Sequence, residues 1–166
     1  MTGFPRAALA AMALALITPL PATAERGLQL ARAPATAEVQ IRNHRGGYLP
    51  RIVAEVERMN RAGIAGRIDG GFCFSACTVF LALDRVCVAP WTQFGFHAPS
   101  DARTGQMLRG AGFERATAHV ARYYRPALAD WWMREARHTR QGLALRSGAE
   151  LIAMGYPACP PAGAAG

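Results

Sequence analysis

Lysine is missing altogether: all 19 basic residues are arginine. That absence excludes Schiff-base chemistry, Ser–Lys dyads and phosphate loops built on a lysine. Charge is sparse, at 18% of residues, yet 51% of the chain is hydrophobic, which excludes a wholly disordered protein. Long apolar runs are missing too. The best, Ala7 to Leu20, is about 14 residues, short of the roughly 20 that a spanning helix needs. It has Arg6 before it, Pro19 and Pro21 at its end, and the small residues Ala22-Thr23-Ala24 after it. Residues 1–24 therefore read as a signal peptide cleaved after Ala24. The expected location is periplasmic or secreted. No cysteine stands near the cut, which argues against lipidation there.

Export sets how the four cysteines read. Cys73, Cys77, Cys87 and Cys159 are an even set, and an oxidising compartment favours disulfides. Their spacings are not those of paired zinc ligands, and no metal is expected. Three pairings exist. Cys73–Cys77 with Cys87–Cys159 is favoured, as a clamp around residue 75 and a tie of the C-terminal segment to the sheet.

The 166 residues suit one domain. Residues 25–36 read as a loose N-terminal arm, 37–159 as the folded domain and 160–166 as a flexible tail. A strand is expected over 37–42. Leu49, Ile52, Val53, Val56 and Met59 recur at three and four, which predicts an amphipathic helix over 49–61. A short strand and a glycine-assisted turn lead through Gly70-Gly71 to Phe72-Cys73-Phe74-Ser75. Ala76 to Leu83 is apolar all round and reads as a buried helix with Ser75 as its N-cap. Strands follow at 86–88 and 93–97, a polar loop at 100–112, a helix over 113–138 broken at Pro126, and a last helix over 150–154. This alternation argues for an α/β layered fold.

Ser75, at a strand-to-helix turn, has its hydroxyl at the positive end of a helix, with the N–H of Ala76 free for an oxyanion. An ordinary capping serine is the plainer reading. His97 ends another strand 22 residues on. Parallel strands flanking one crossover bring their C-terminal ends together, where α/β sites form. Gly46-Gly47, at a third strand-to-helix turn, lets backbone N–H groups approach a ligand. As a phosphate loop it is weak.

Taken in order, Gly46-Gly47, Phe72-Cys73-Phe74-Ser75-Ala76-Cys77, Arg85 to Pro90, Phe94 to Pro99 and Ser147 to Gly155 resemble the proteolytic subunit of Clp protease. They are closer still to exported Clp-like proteins of the Clp/crotonase superfamily. The resemblance spans roughly 37–159. It implies a small single domain on the Clp/crotonase-like ββα superhelix. Ser75 would be the nucleophile and His97 its base. The N–H groups of Gly47 and Ala76 would form the oxyanion hole. The family's third member is an acid just before the final helix, but Gln141 to Leu145 holds none. Asp101, Asp130 and Glu135 are substitutes among which the sequence does not choose. Losing an orienting carboxylate costs several orders of magnitude in rate. The family's first strand and helix have little room here, and docking to an unfolding ATPase makes no sense outside the cytoplasm.

The run Tyr123-Tyr124 with Trp131-Trp132-Met133 reads as core, or as the interface of a homo-oligomer. Arg115, Arg122, Arg125, Arg134, Arg137 and Arg140 make this segment basic. A solvated face is the plain reading, and an anionic membrane surface or an acidic partner the functional one. Nucleic acid is not an expected partner of an exported protein. Three functions result. The first is an exported serine hydrolase, a peptidase acting on a peptide or acyl substrate without a cofactor. The second is a catalytically inactive Clp-like fold used for binding or assembly in the cell envelope. The third, a crotonase-type acyl-thioester enzyme, needs a coenzyme not expected outside the cytoplasm. The signal-peptide reading predicts a mature N-terminus at Glu25. N-terminal sequencing of the exported protein checks it, and a start at Met1 or Thr2 would overturn it.

Overall fold

In the computed structural model the described residues are 37–161. The expected signal peptide, the expected arm up to residue 36 and the expected tail beyond residue 161 lie outside them. Among the described residues no helix is long and apolar enough to cross a membrane.

The fold is a mixed α/β domain with two small sheets and four α-helices. Strand β1 is Glu38–Ile41, β2 Ala65–Ile68, β3 Phe72–Phe74, β4 Val86–Val88, β5 Gln93–Phe96 and β6 Ala144–Ser147. Helix α1 is Leu49–Arg61, α2 Gly110–Ala121, α3 Pro126–Arg134 and α4 Gly148–Ala153. One sheet has the order β1-β2-β4, all parallel, and the other β3-β5-β6, with β3 parallel and β6 antiparallel to β5. The α/β layered fold expected from sequence thus has two sheets. The chain crosses between them in repeated turns. It leaves β1 and adds His44 beside Cys73, goes from β2 to β3, then from β4 to β5. After α4 it returns to the first sheet, where Ala158 bridges Val88.

Helix α1 has the expected bounds because its pattern is strong. Pro50 opens it, Ile52, Val56 and Met59 are buried, and Arg58 and Arg61 sit in the last turn, where the helix dipole favours cations. The segment Ser75–Ala82 is buried as expected but wound as a 3₁₀ helix; an all-round apolar composition specifies burial, not pitch. The helix expected over 113–138 starts at Gly110 and is interrupted over 122–125, because Pro126 must begin a new helix rather than continue one. The last helix begins at Gly148, two residues earlier than expected, because Ser147 and Glu150 form a capping box. Strand β6 was not expected at all.

The core joins both sheets. Phe96 packs edge-on to Tyr124 and Trp131, and Tyr124 to Trp132. The aromatic run is core on its Tyr124, Trp131 and Trp132 side. Two disulfides close, Cys73–Cys77 and Cys87–Cys159, the favoured pairing and a state that fits an oxidising compartment. At the end of the first sheet, the Asp69 carboxylate accepts from Arg42 at 2.7 Å and Arg67 at 2.9 Å. The Arg42 hydrogen bond, then Arg67, holds that carboxyl below its ordinary range. Arg67 also donates to the Pro160 carbonyl at 2.6 Å. The expected tail is therefore fixed at its first residue.

The Cys87–Cys159 bond spans 72 residues. Chain-entropy reasoning assigns a loop of that length about 4 kcal/mol at most, less whatever the reduced chain recovers. The Cys87→Ala/Cys159→Ala variant is expected to lose about 3 kcal/mol of unfolding free energy, read from urea denaturation.

Candidate active site

Ser75 and His97 each come one residue after a strand of the second sheet. Phe74 ends β3 and pairs with Gly95 of β5, so the two strand ends lie side by side. Gly95 is required there. A Cβ on it would stand 2.6 Å from the Phe74 ring and 2.8 Å from Leu143. The result is a hydrogen bond of 2.7 Å between Ser75 Oγ and His97 Nε2. Both residues are half-buried.

Ser75 is not an N-cap. Phe74 holds that position, and Ser75 is the first helical residue, with φ at +55°. A non-glycine residue there is strained by about 1–3 kcal/mol and persists only when its surroundings hold it. Three features do so. The Cys73–Cys77 disulfide brackets the turn, and both cysteines are fully buried. Thr78 Oγ1 donates to the Ser75 carbonyl at 2.8 Å. Since that spends the Thr78 proton, the Tyr124 hydroxyl must donate to Thr78 Oγ1, at 2.7 Å. Burial, foremost, pushes the Tyr124 phenol well above its ordinary range, so it stays a donor. Finally, Gly46 packs against the turn from outside.

The ring of His97 is oriented from its other side by the Ala98 carbonyl, 2.7 Å from Nδ1. A carbonyl accepts only, so Nδ1 carries the proton and Nε2 accepts from Ser75. None of the three carboxylates considered from sequence bonds to His97. Asp101 Oδ1 caps its own loop, accepting from the N–H groups of Arg103 and Thr104, and these bonds, Thr104 first, lower its pKa. Glu135 accepts from Trp131 Nε1 at 2.8 Å and faces Arg146. Asp130 is exposed on α3.

Gly46-Gly47 does not end a strand of the sheet that holds β1, as expected. Its segment has already crossed to the second sheet, where His44 exchanges backbone hydrogen bonds with Phe72 and Phe74. That crossing brings the glycines to Ser75. His44 Nδ1 accepts from Gly46 N–H at 2.9 Å. Gly47, Ser75, Ala76 and His97 all line one hollow of about 270 Å³. No hydrogen bond among the described residues uses the N–H of Gly47 or Ala76. The rest of the hollow is mostly apolar, with Leu49, Val79, Phe96, Val120 and Trp132 on its walls and Thr78, Ser100 and Tyr124 among them.

Sequence reasoning missed Thr78, Tyr124 and His44. Thr78 was detectable as the one hydroxyl inside an apolar helix. Tyr124 acts through a tertiary contact that leaves no local signature, and the His44 side chain through a local bond to Gly46 that its residue type alone does not announce. Neither a scan against protein-family models nor a comparison with curated proteins finds a match for this chain.

At Gly46, φ is +93° and an added Cβ would lie 2.6 Å from the Phe74 carbonyl and 2.8 Å from Ser75 Cβ. These are backbone or near-backbone atoms that cannot swing aside. Gly46→Ala is expected to cost about 2 kcal/mol or more by urea denaturation and to displace Ser75. An unchanged midpoint would show that the turn is not held from that side.

Proposed function

We propose that this chain is an exported Clp-like serine hydrolase, a peptidase acting on peptide or acyl substrates in the periplasm or outside the cell. The observation that carries the reading is the 2.7 Å bond from Ser75 to His97, made by a serine on a strained strand-to-helix turn at the mouth of an apolar hollow. The winding of the chain between two sheets supports a ββα superhelix of the Clp/crotonase kind.

In this mechanism Ser75 Oγ attacks the scissile carbonyl while His97 Nε2 takes its proton. The N–H groups of Gly47 and Ala76 receive the developing oxyanion. His97 then returns the proton to the leaving group, and water repeats the sequence on the acyl-enzyme. The Ala98 carbonyl does part of the work of an acid. It fixes the tautomer and the ring angle. It carries no full negative charge, so it stabilises the imidazolium less than a carboxylate would, and turnover is expected to be slow.

That same feature favours a second reading, an inactive Clp-like fold serving binding or assembly in the envelope. Labelling with a fluorophosphonate separates the two. Label on wild type that disappears in Ser75→Ala supports the hydrolase, while no label between pH 6 and 9 supports the inactive fold. A gain-of-function variant sharpens the test. In the β5–β6 register Phe96 faces Ala144, so residue 143 falls opposite His97. Leu143→Asp is expected to raise the labelling rate at least about tenfold, with the gain lost below the pKa of the new acid.

A further inference from the structure

The basic segment after residue 109 resolves into two kinds of arginine. Arg137 pairs with Glu114 at 2.7 Å and lies over the Phe113 ring. Arg125 donates to the Gly155 carbonyl and lies over Tyr156. Arg140 donates to the Leu108 carbonyl. These three are spent inside the molecule. Arg115 and Arg122 are exposed and form no ion pair among the described residues. With His119 they follow the i, i+4, i+7 pattern, and because the C-cap Arg122 keeps helical backbone angles, the three share one face of α2 and its C-cap. Arg122 reaches back to donate to His119 Nδ1.

These three side chains line an open groove that has no acid on its walls. Its remaining wall includes Leu49 and Ala116. Both residues also line the hollow at Ser75. The groove therefore adjoins that hollow across a shared wall, with the apolar lining on the serine side and the cationic side chains on the other.

We propose that the groove is the subsite for a carboxylate of the substrate. The occupant is an acidic peptide with an apolar residue in the hollow and an Asp, Glu or free carboxylate held by Arg115 and Arg122. The proposal rests on Ser75 being the reactive group of the cleft. Guanidinium groups match a carboxylate with paired N–H donors, and the chain's net charge of +8 adds long-range attraction. The reach fits. From Ala116 to Arg122 a helix rises roughly 9 Å, and an extended peptide covers that in about three residues. A membrane surface fits less well, because Arg115 and Arg122 sit in the groove beside the hollow and Arg125, Arg137 and Arg140 are engaged internally, which leaves Arg134 as the one arginine of the six that is exposed elsewhere without an ion pair among the described residues.

The test uses the Ser75→Ala full chain, which cannot turn the peptide over, and fluorescein-labelled peptides of the form Ala-Leu-Ala-Ala-X-Ala with a blocked C-terminus. By anisotropy at low salt, X = Glu should bind about tenfold tighter than X = Gln. Arg115→Ala/Arg122→Ala should abolish that advantage, and Arg115→Glu/Arg122→Glu should turn it towards X = Arg. Replacing the peptide's Leu by Gly should weaken binding of the Glu peptide. Equal binding of the Glu and Gln peptides, an advantage that survives both double variants, or indifference to Leu would overturn the proposal. So would arginine-dependent binding to phosphatidylglycerol vesicles without any peptide preference. Fluorophosphonate labelling of wild type judges the hydrolase reading separately, so failure of one leaves the other readable.

Discussion

The parallel pairing of β3 with β5 is the constraint on which the rest depends. Phe74 faces Gly95, and one residue beyond each strand end lies the chemistry. The pairing is tight, since any side chain at position 95 would strike the Phe74 ring. A shift of one residue in register would turn His97 to the other face of the sheet. Everything around Ser75 serves to keep the chain turning sharply at that point. The disulfide holds the two flanks, the Tyr124–Thr78 relay holds the carbonyl, and Gly46 leaves room for the turn to exist. The polar relay is itself buried against the aromatic cluster, so the packing of α2 and α3 on the sheet bears on the serine without touching it.

Some of this was legible in the sequence. Ser75 and His97 stood out only in combination: each alone had a plainer structural reading, but two polar residues closing short strands on either side of one crossover pointed to a shared edge. The cysteines paired as their positions suggested. Helix α1 was read correctly because periodicity alone decides a helix with one wet face. The division into two sheets was not legible. Strands buried on both faces show no alternation, and Asp69-Gly70-Gly71 looks the same whether the chain turns back within one sheet or passes to another. Strand β6 was missed because Ala144-Leu145-Arg146-Ser147 contains no β-branched residue; its extended form comes from pairing with β5, which is a tertiary effect.

The missing acid shows the limit of reading motifs by residue type. A search for a third side chain offered Asp101, Asp130 and Glu135, each of which the fold employs or exposes elsewhere. The partner of His97 is instead a main-chain oxygen, and main-chain atoms are silent in a sequence. The arginines teach the same lesson in reverse. Six looked alike as letters, and only the fold separates the three that stabilise it, the two beside the cleft and Arg134, exposed on α3.

The Cys87–Cys159 bond makes a covalent ring of everything between its ends. His97, the loop from Ser100 to Arg109, and helices α2 to α4 all lie within the ring, while Ser75 lies before it. A single peptide bond cut anywhere inside, most accessibly in the exposed stretch Ala102–Gln106, yields two pieces that remain one molecule. Ser75 stays on the N-terminal piece, with His97 on the same piece for any cut beyond residue 97, and the other piece cannot diffuse away. The protein is in this sense two chains in waiting, tethered in advance against a single cut.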